Sequence, residues 1–177
     1  IAIVMQVYVK KVIVPEGQHA EVMLPGNSSV KLNAASVITY KPLKWVLERK
    51  VTLDGEAFFE VEPGRKFEVV SSMGTTAVMG TSFNIYARDT VYEVTCITGK
   101  VGVSGSVTEN TVMILPGEKV SLYVSGNINI DRDINAFETV SWIEGRLSFT
   151  SAPLHEVFDE ISRQFGVVIV VPQGIDG

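Results

Sequence analysis

The sequence predicts a mainly β protein: an antiparallel-rich β-sandwich or jelly-roll, or a solenoid-like domain, followed by a small β-α-β unit. Three observations predict it. Short runs of β-branched and aromatic residues alternate with polar ones over most of the chain. Turn signals such as Pro15-Glu16-Gly17, Pro25-Gly26-Asn27, Pro63-Gly64 and Pro116-Gly117-Glu118 recur roughly every 8 to 12 residues, the spacing of all-β folds. After Trp142 the apolar period switches to that of a helix.

The 177 residues fit one ordinary domain plus a small appendage, divided here into 1–140 and 141–177. At 46% apolar residues the chain can bury a sizeable core. Fifteen basic against twenty acidic residues give a net charge of -5, and no basic stripe is present, which argues against nucleic acid as a partner. Lys10-Lys11 and Arg65-Lys66 read as solvated turn charges. The lone Cys96 excludes an internal disulfide and sits at strand spacing as a small buried side chain. No run of apolar residues is long enough to span a membrane. The opening Ile1-Ala2-Ile3-Val4-Met5 has neither an initiator Met nor the flanks of a signal peptide, and reads as the interior of a longer protein.

Residues 1 to 14 are dense in Ile and Val and read as one or two strands ending at Pro15. Val22 and Leu24 then face Val30 and Leu32 across the Pro25-Gly26-Asn27 turn as a hairpin. Ile38 and Tyr40 mark another strand, and Leu43 to Arg49 has room for a helical turn. Val51 to Ile85 is the most strongly patterned stretch. Asp54-Gly55 reads as a turn dipeptide; Ala57, Phe59 and Val61 form an apolar face, while Glu56, Phe58, Glu60 and Glu62 form a mostly acidic one. Phe67 and Val69 resume the alternation after Pro63-Gly64. Tyr92 to Ile97 pairs with Val101 to Val103 around Thr98-Gly99-Lys100, and Thr111 to Leu115 pairs with Val120 to Val124 around Pro116-Gly117-Glu118. A weak echo between Val22-Met23-Leu24-Pro25-Gly26 and Met113-Ile114-Leu115-Pro116-Gly117 reads as repeated hairpin geometry rather than duplication.

Beyond Asp131 the chain is polar and mixed up to Trp142, and Arg146-Leu147-Ser148-Phe149 reads as a strand. Leu154, Val157, Phe158, Ile161 and Phe165 then share a helix face, opened by Pro153 and closed by Gly166. Val167 to Val171 is a continuous apolar run that reads as a strand covered on both faces. Such a unit buries little alone, so it is either the start of a small domain or an arm docked on the β domain.

Several motifs resemble one family. They are Leu24-Pro25 before Val30-Lys31-Leu32-Asn33-Ala34; Val51-x-Leu53-Asp54-Gly55-Glu56-Ala57-x-Phe59-x-Val61; and Val78-Met79-Gly80-Thr81-x-Phe83-Asn84. Gly99-x-Val101-x-Val103, Leu115-Pro116-Gly117-Glu118 and Trp142-x-x-Gly145-x-Leu147-x-Phe149 follow in the same order. Together, from about Gly17 to Phe165, they resemble the FecR family of transmembrane anti-sigma factors for extracytoplasmic-function sigma factors. The tail after Gly145 is similar to the small C-terminal domain of such regulators and to N-terminal modules of secretins and TonB-dependent receptors. Two departures stand out. The turn Leu24-Pro25-Gly26-Asn27-Ser28 is one residue longer than the family's, and Met79 replaces the usual Leu, a swap a core tolerates. By that resemblance Asp54, Gly55, Phe59, Gly80, Phe83 and Gly117 are fold determinants. The implied location is the periplasmic domain of an inner-membrane protein. The implied partner is the signalling domain of an outer-membrane TonB-dependent transporter; the sigma factor is met by a cytoplasmic segment outside these residues.

No cofactor and no turnover chemistry are expected. His19 and His155 lack companions for a metal site. The carboxylates Glu56, Glu60, Glu62 and Glu68 read as a solvated strand face, and no Ser-His-Asp, Gly-x-Ser-x-Gly or phosphate-loop signature occurs. Gly80-Thr81 keeps two readings. Some members of the resembled family split themselves at a Gly-Thr in this motif, by Thr attack on the preceding carbonyl. Otherwise Gly80 serves a bulge or close approach and Thr81 is an ordinary strand residue. The expected docking surface is the C-terminal unit: Trp142 and the edge Val167, Val168, Ile169 and Val170, accepting a partner strand by β-augmentation. The rival reading is a stand-alone ligand- or carbohydrate-binding β domain, for which Tyr86, Tyr92, Tyr123 and Trp142 are the candidate aromatics.

Overall fold

The computed structural model of the chain describes residues 8–88, 90–106, 111–149 and 152–170. Its strands are β1 (Lys10–Val14), β2 (Ala20–Met23), β3 (Ser29–Leu32), β4 (Ser36–Tyr40), β5 (Arg49–Glu60), β6 (Phe67–Val70) and β7 (Gly74–Val78). They continue as β8 (Ser82–Arg88), β9 (Val91–Thr98), β10 (Val101–Gly105), β11 (Thr111–Ile114), β12 (Lys119–Tyr123) and β13 (Ile128–Asp131). Short 3-10 segments cover Pro42–Lys44 and Glu138–Glu144, and the helix α1 spans Leu154–Phe165. The expected mainly β class holds, with the helix where the apolar period placed it.

All 13 strands of the described residues hydrogen-bond into one sheet, which folds into two layers through the long strand β5. The first half of β5 belongs to layer A, in the order β11-β10-β7-β6-β5-β4-β1: Val51–Asp54 pairs with β4, and Arg49–Thr52 runs parallel to β6. The second half belongs to layer B, in the order β2-β3-β5-β8-β9-β12-β13. Gly55 is where β5 changes layer. Its φ of +108° suits glycine alone, and a Cβ there would sit 2.5 Å from Ser36 Oγ and 2.7 Å from Ser36 Cα. Asp54-Gly55 is therefore no turn, contrary to the sequence reading; glycine is needed because two backbones meet there.

Phe59 knits the layers together. Fully buried, it stacks on Phe83 (centroids 5.1 Å, 10° between planes) and meets Phe67 of layer A edge-on at 6.1 Å. Phe67 in turn contacts Trp45, which contacts Tyr40. A second link crosses from β7 to β9, where Thr76 Oγ1 and the buried Tyr92 hydroxyl lie 2.8 Å apart.

The β2–β3 hairpin has the expected residues, with Val22 opposite Val30 and Ala20 opposite Leu32. Two other expected hairpins are arches. β9 pairs with β8 and β12 while β10 pairs with β7 and β11, so Thr98-Gly99-Lys100 carries the chain between layers. Likewise β11 and β12 lie in different layers, and Gly117 (φ +82°) sits in an arch tied to Cys96 by Gly117 N–H donating to Cys96 O (3.1 Å). Hairpins and arches need the same turn residues, so sequence cannot separate them. The Leu-Pro-Gly echo thus covers one hairpin and one arch. This alternation between layers is the solenoid-like feature of the fold.

The C-terminal unit departs most from expectation. Neither Arg146–Phe149 nor Val167–Val170 is a strand, so no β-α-β unit forms among the described residues. An apolar run becomes a strand only when it has a ladder to join. Val168 and Val170 are 90% and 83% exposed rather than covered. Met79 is also exposed, not a core residue. Residues 1–7 and Val171 lie outside the described residues.

Candidate functional site

The C-terminal helix docks on the β domain through polar groups, which sequence reasoning did not single out. Its apolar residues Leu154, Val157, Phe158 and Ile161 are half-buried, while Phe165 is exposed. Gly166 ends the helix in the left-handed region at φ +61°. Gly17 meets that end backbone to backbone: its N–H donates to Arg163 O at 2.8 Å, and a Cβ on Gly17 would lie 3.4 Å from Gly166 N. One turn of helix then projects onto the outer face of layer B.

That face carries Glu56, which lies opposite Tyr86 in the β5–β8 ladder. Glu56 is only 6% exposed. Asn33 Nδ2 donates to its Oε2 at 2.8 Å, and Asn84 Nδ2 donates to its Oε1 at 2.9 Å. Asn33 Oδ1 accepts from Ala34 N–H (2.8 Å), which fixes the amide's orientation, and from Gln164 Nε2 of the helix (2.6 Å). Gln164 Nε2 also donates to Glu160 Oε1 at 2.7 Å, and its Oε1 accepts from the His19 ring at 3.0 Å. His19 packs edge-on against Trp142, with centroids 5.5 Å apart. Arg163 donates to Glu160 Oε2 and to the Tyr86 hydroxyl. Loop, strand and helix thus close one clasp.

Burial pushes the Glu56 carboxyl up to about 7, reinforced by the nearby Glu160 and opposed by the Asn84 and Asn33 amides and Arg88. Burial likewise pushes the Tyr86 hydroxyl up to about 12. Arg88 is itself buried and donates to Ala34 O (2.6 Å) and Ala35 O (2.9 Å), holding the bend between β3 and β4 where Ala35 adopts φ +52°. The expectation of a solvated acidic face fails at Glu56 because α1 covers it; Glu60 on the same strand face is exposed.

The candidates named from sequence fall in separate places. Gly80 (φ +146°) packs so closely against Pro63 that a Cβ there would sit 2.8 Å from Pro63 Cα, and it leads from β7 into β8 across the layers. The adjacent Thr81 Oγ1 is buried without a hydrogen-bond partner. Trp142 is 5% exposed and belongs to the clasp rather than to an open surface. Val167, Val168, Ile169 and Val170 leave the helix end with no strand pairing, Ile169 being the half-buried one. Asp54 is exposed beside the Gly55 crossing. Among the described residues no group of three or more His, Cys, Asp or Glu could hold a metal ion.

Comparison with known proteins accords with this architecture. The family model for FecR protein matches residues 10–102, more than half of the chain. The chain belongs to the FecR family. Two crystal structures of a "putative anti-sigma factor" from Parabacteroides distasonis ATCC 8503 are similar to it. One has a TM-score of 0.83 at 30% identity, covering 90% of this chain and 76% of the other. The second has a TM-score of 0.86 at 30% identity, covering 94% and 79%. No curated protein matches the chain. The FecR-family chain is a signal-transducing domain of the anti-sigma-factor type, a regulatory rather than enzymatic class whose members are associated with membranes and act on a sigma factor. No described helix is long and apolar enough to cross a membrane.

Proposed function

We propose that this domain lies in the periplasm as part of an inner-membrane anti-sigma factor. There it relays the state of an outer-membrane TonB-dependent transporter to an extracytoplasmic-function sigma factor by protein–protein binding. Residues 141–177 are the receiving unit and residues 1–140 the scaffold. The observation that carries this reading is the Val167–Val170 segment, which exposes its three valines, emerges from a helix clasped to the β domain and pairs with no described strand. Backbone groups without a ladder and alternate apolar side chains suit β-augmentation by a partner's strand.

The test is capture of the purified signalling domain of a TonB-dependent transporter by this chain, repeated with Val168→Asp and Val170→Asp. Binding should be lost while thermal unfolding of the β domain is unchanged. Undiminished binding, or binding lost together with the fold, refutes the assignment. The carbohydrate-binding alternative is disfavoured because Tyr92 and Trp142 are buried. The groove beside Tyr123, lined by Met73, Leu122, Val124 and Ile128, holds only about 240 Å³, small for a ligand site.

Gly80-Thr81 supports a subsidiary reading through the buried, unpartnered Thr81 hydroxyl. Attack of Oγ1 on the Gly80 carbonyl carbon would transfer the hydroxyl proton to the departing Thr81 nitrogen and leave an ester. Water would then release the Gly80 carboxylate and restore the hydroxyl. Intact mass after prolonged incubation decides it: two fragments support scission, and a single uncut mass excludes it.

A further inference from the structure

We propose that helix α1 is a proton-sensitive latch, closed over the outer face of layer B while Glu56 is protonated and loosened when Glu56 is charged. The placement of Glu56 carries the argument. An outward strand position is ordinarily hydrated, and this one is buried because α1 lies over it. The hydrogen bonds to its carboxyl come from two neutral amides, Asn33 and Asn84. Burying a charge whose hydrogen bonds come from neutral amides costs more than burying the neutral acid.

The charged and titratable groups around the carboxyl do not reverse this balance. From β8 come Arg88, which favours a charge on Glu56 but whose terminal nitrogens donate to the Ala34 and Ala35 carbonyls and Ser36 Oγ, and the Tyr86 hydroxyl. From α1 come Glu160, which opposes a charge on Glu56, and Arg163, which pairs with Glu160. The loop before β2 adds His19, which faces Gln164 rather than Glu56. Asn84 Oδ1 is buried without a partner. Rotation of that amide would turn Oδ1 toward Glu56 to accept the acid's proton, so the site accommodates the neutral form.

The helix is tied to Glu56 by way of Gln164 and Asn33. Opening the helix would rehydrate Glu56 and return its carboxyl toward the ordinary range. By linkage, ionisation must then favour opening. Because Val167–Val170 follows directly from Gly166, the latch would set how firmly that segment is held. The latch does not depend on which partner the segment meets, so it stands or falls apart from the proposed relay.

Amide hydrogen exchange of the full chain, corrected for intrinsic rates, tests it. Amides of Val157–Phe165 should be less protected than those of Ile85 and Val94 at every pH, showing that the helix opens separately from the fold. As pH rises from about 4.5 to about 7 that protection should fall, by up to about tenfold per pH unit, and it should level off above about pH 7.5. Glu56→Gln should flatten the dependence, and His19→Gln should leave it in place. Should Glu56→Gln fail to fold, Glu160→Gln serves instead and should shrink the ratio of acid to alkaline helix protection, whatever it does to the protection itself. Helix amides as protected as Val94 would overturn the latch. So would a pH dependence that survives Glu56→Gln, one abolished by His19→Gln, or one left undiminished by Glu160→Gln.

Discussion

Replacing Gly55 by Ala attacks the point where β5 passes from one layer to the other. Two costs follow from the structure. An alanine at φ +108° pays for a backbone conformation that L residues avoid, about 1–3 kcal/mol. Its Cβ would also sit 2.5 Å from Ser36 Oγ and 2.7 Å from Ser36 Cα and Cβ. Ser36 cannot swing away, because its hydroxyl accepts from Glu56 N–H at 2.9 Å and its Cα belongs to β4. Overpacking of that kind adds about 1–3 kcal/mol, so a total loss of about 2–6 kcal/mol is expected. That is a large share of the stability of an ordinary domain. Urea unfolding followed by circular dichroism gives the number. Gly126→Ala is the matched comparison, since Gly126 has φ +86° and no atom within 4 Å of the new Cβ. It should lose only the backbone part. Equal losses at the two sites would refute the claim that close approach to Ser36 is what demands glycine in the middle of β5.

Phe59→Ala removes the ring that joins Phe83 and Phe67 across the layers, and should cost about 3–5 kcal/mol in the same assay. Thr81→Val deletes a buried hydroxyl that has no partner, so it should leave stability unchanged or raise it by up to about 1 kcal/mol; a clear loss would mean that the hydroxyl is bonded after all. Glu56 makes stability pH-dependent with a definite sign. Its folded carboxyl, at about 7, lies above the ordinary 4.5, so its contribution is fully present below the ordinary value and is lost as pH rises through about 7. Above that, ionised Glu56 costs roughly 3 kcal/mol by the same linkage, and Glu56→Gln should be the more stable protein at alkaline pH, with the order reversing or closing in acid. Cys96, buried and pushed up to about 11, should resist thiol reagents near pH 8 until the protein is unfolded.

Much of this was legible before the fold was known, for reasons that are local. The β2–β3 pairing follows from a Pro-Gly-Asn turn between alternating apolar residues, and Asn27 and Gly26 do adopt the positive φ that such a turn needs. The helix from Leu154 to Phe165 follows from its apolar stripe and its Gly166 stop. The order of the motifs was enough to indicate the family. The clasp was hidden because its parts are far apart: Gln164 and Asn33 are 131 positions apart, and His19 and Gln164 are 145 apart. No periodicity links such residues. The one available signal was Asn33 directly after the Val30-Lys31-Leu32 run and Asn84 between the apolar Phe83 and Ile85.

By itself, then, the sequence determined which segments extend, where the chain bends and where it turns helical, because those choices depend on neighbours a few residues away. The tertiary structure decided which layer each strand joined, since the Gly99 and Gly117 bends serve a hairpin or an arch equally well and only the competing ladders of β8, β7 and their neighbours choose between them. It also decided that Glu56, patterned for water, lies under α1 as a buried carboxyl. Burial is set by what packs on top of a residue, and what packs on Glu56 comes from the other end of the chain.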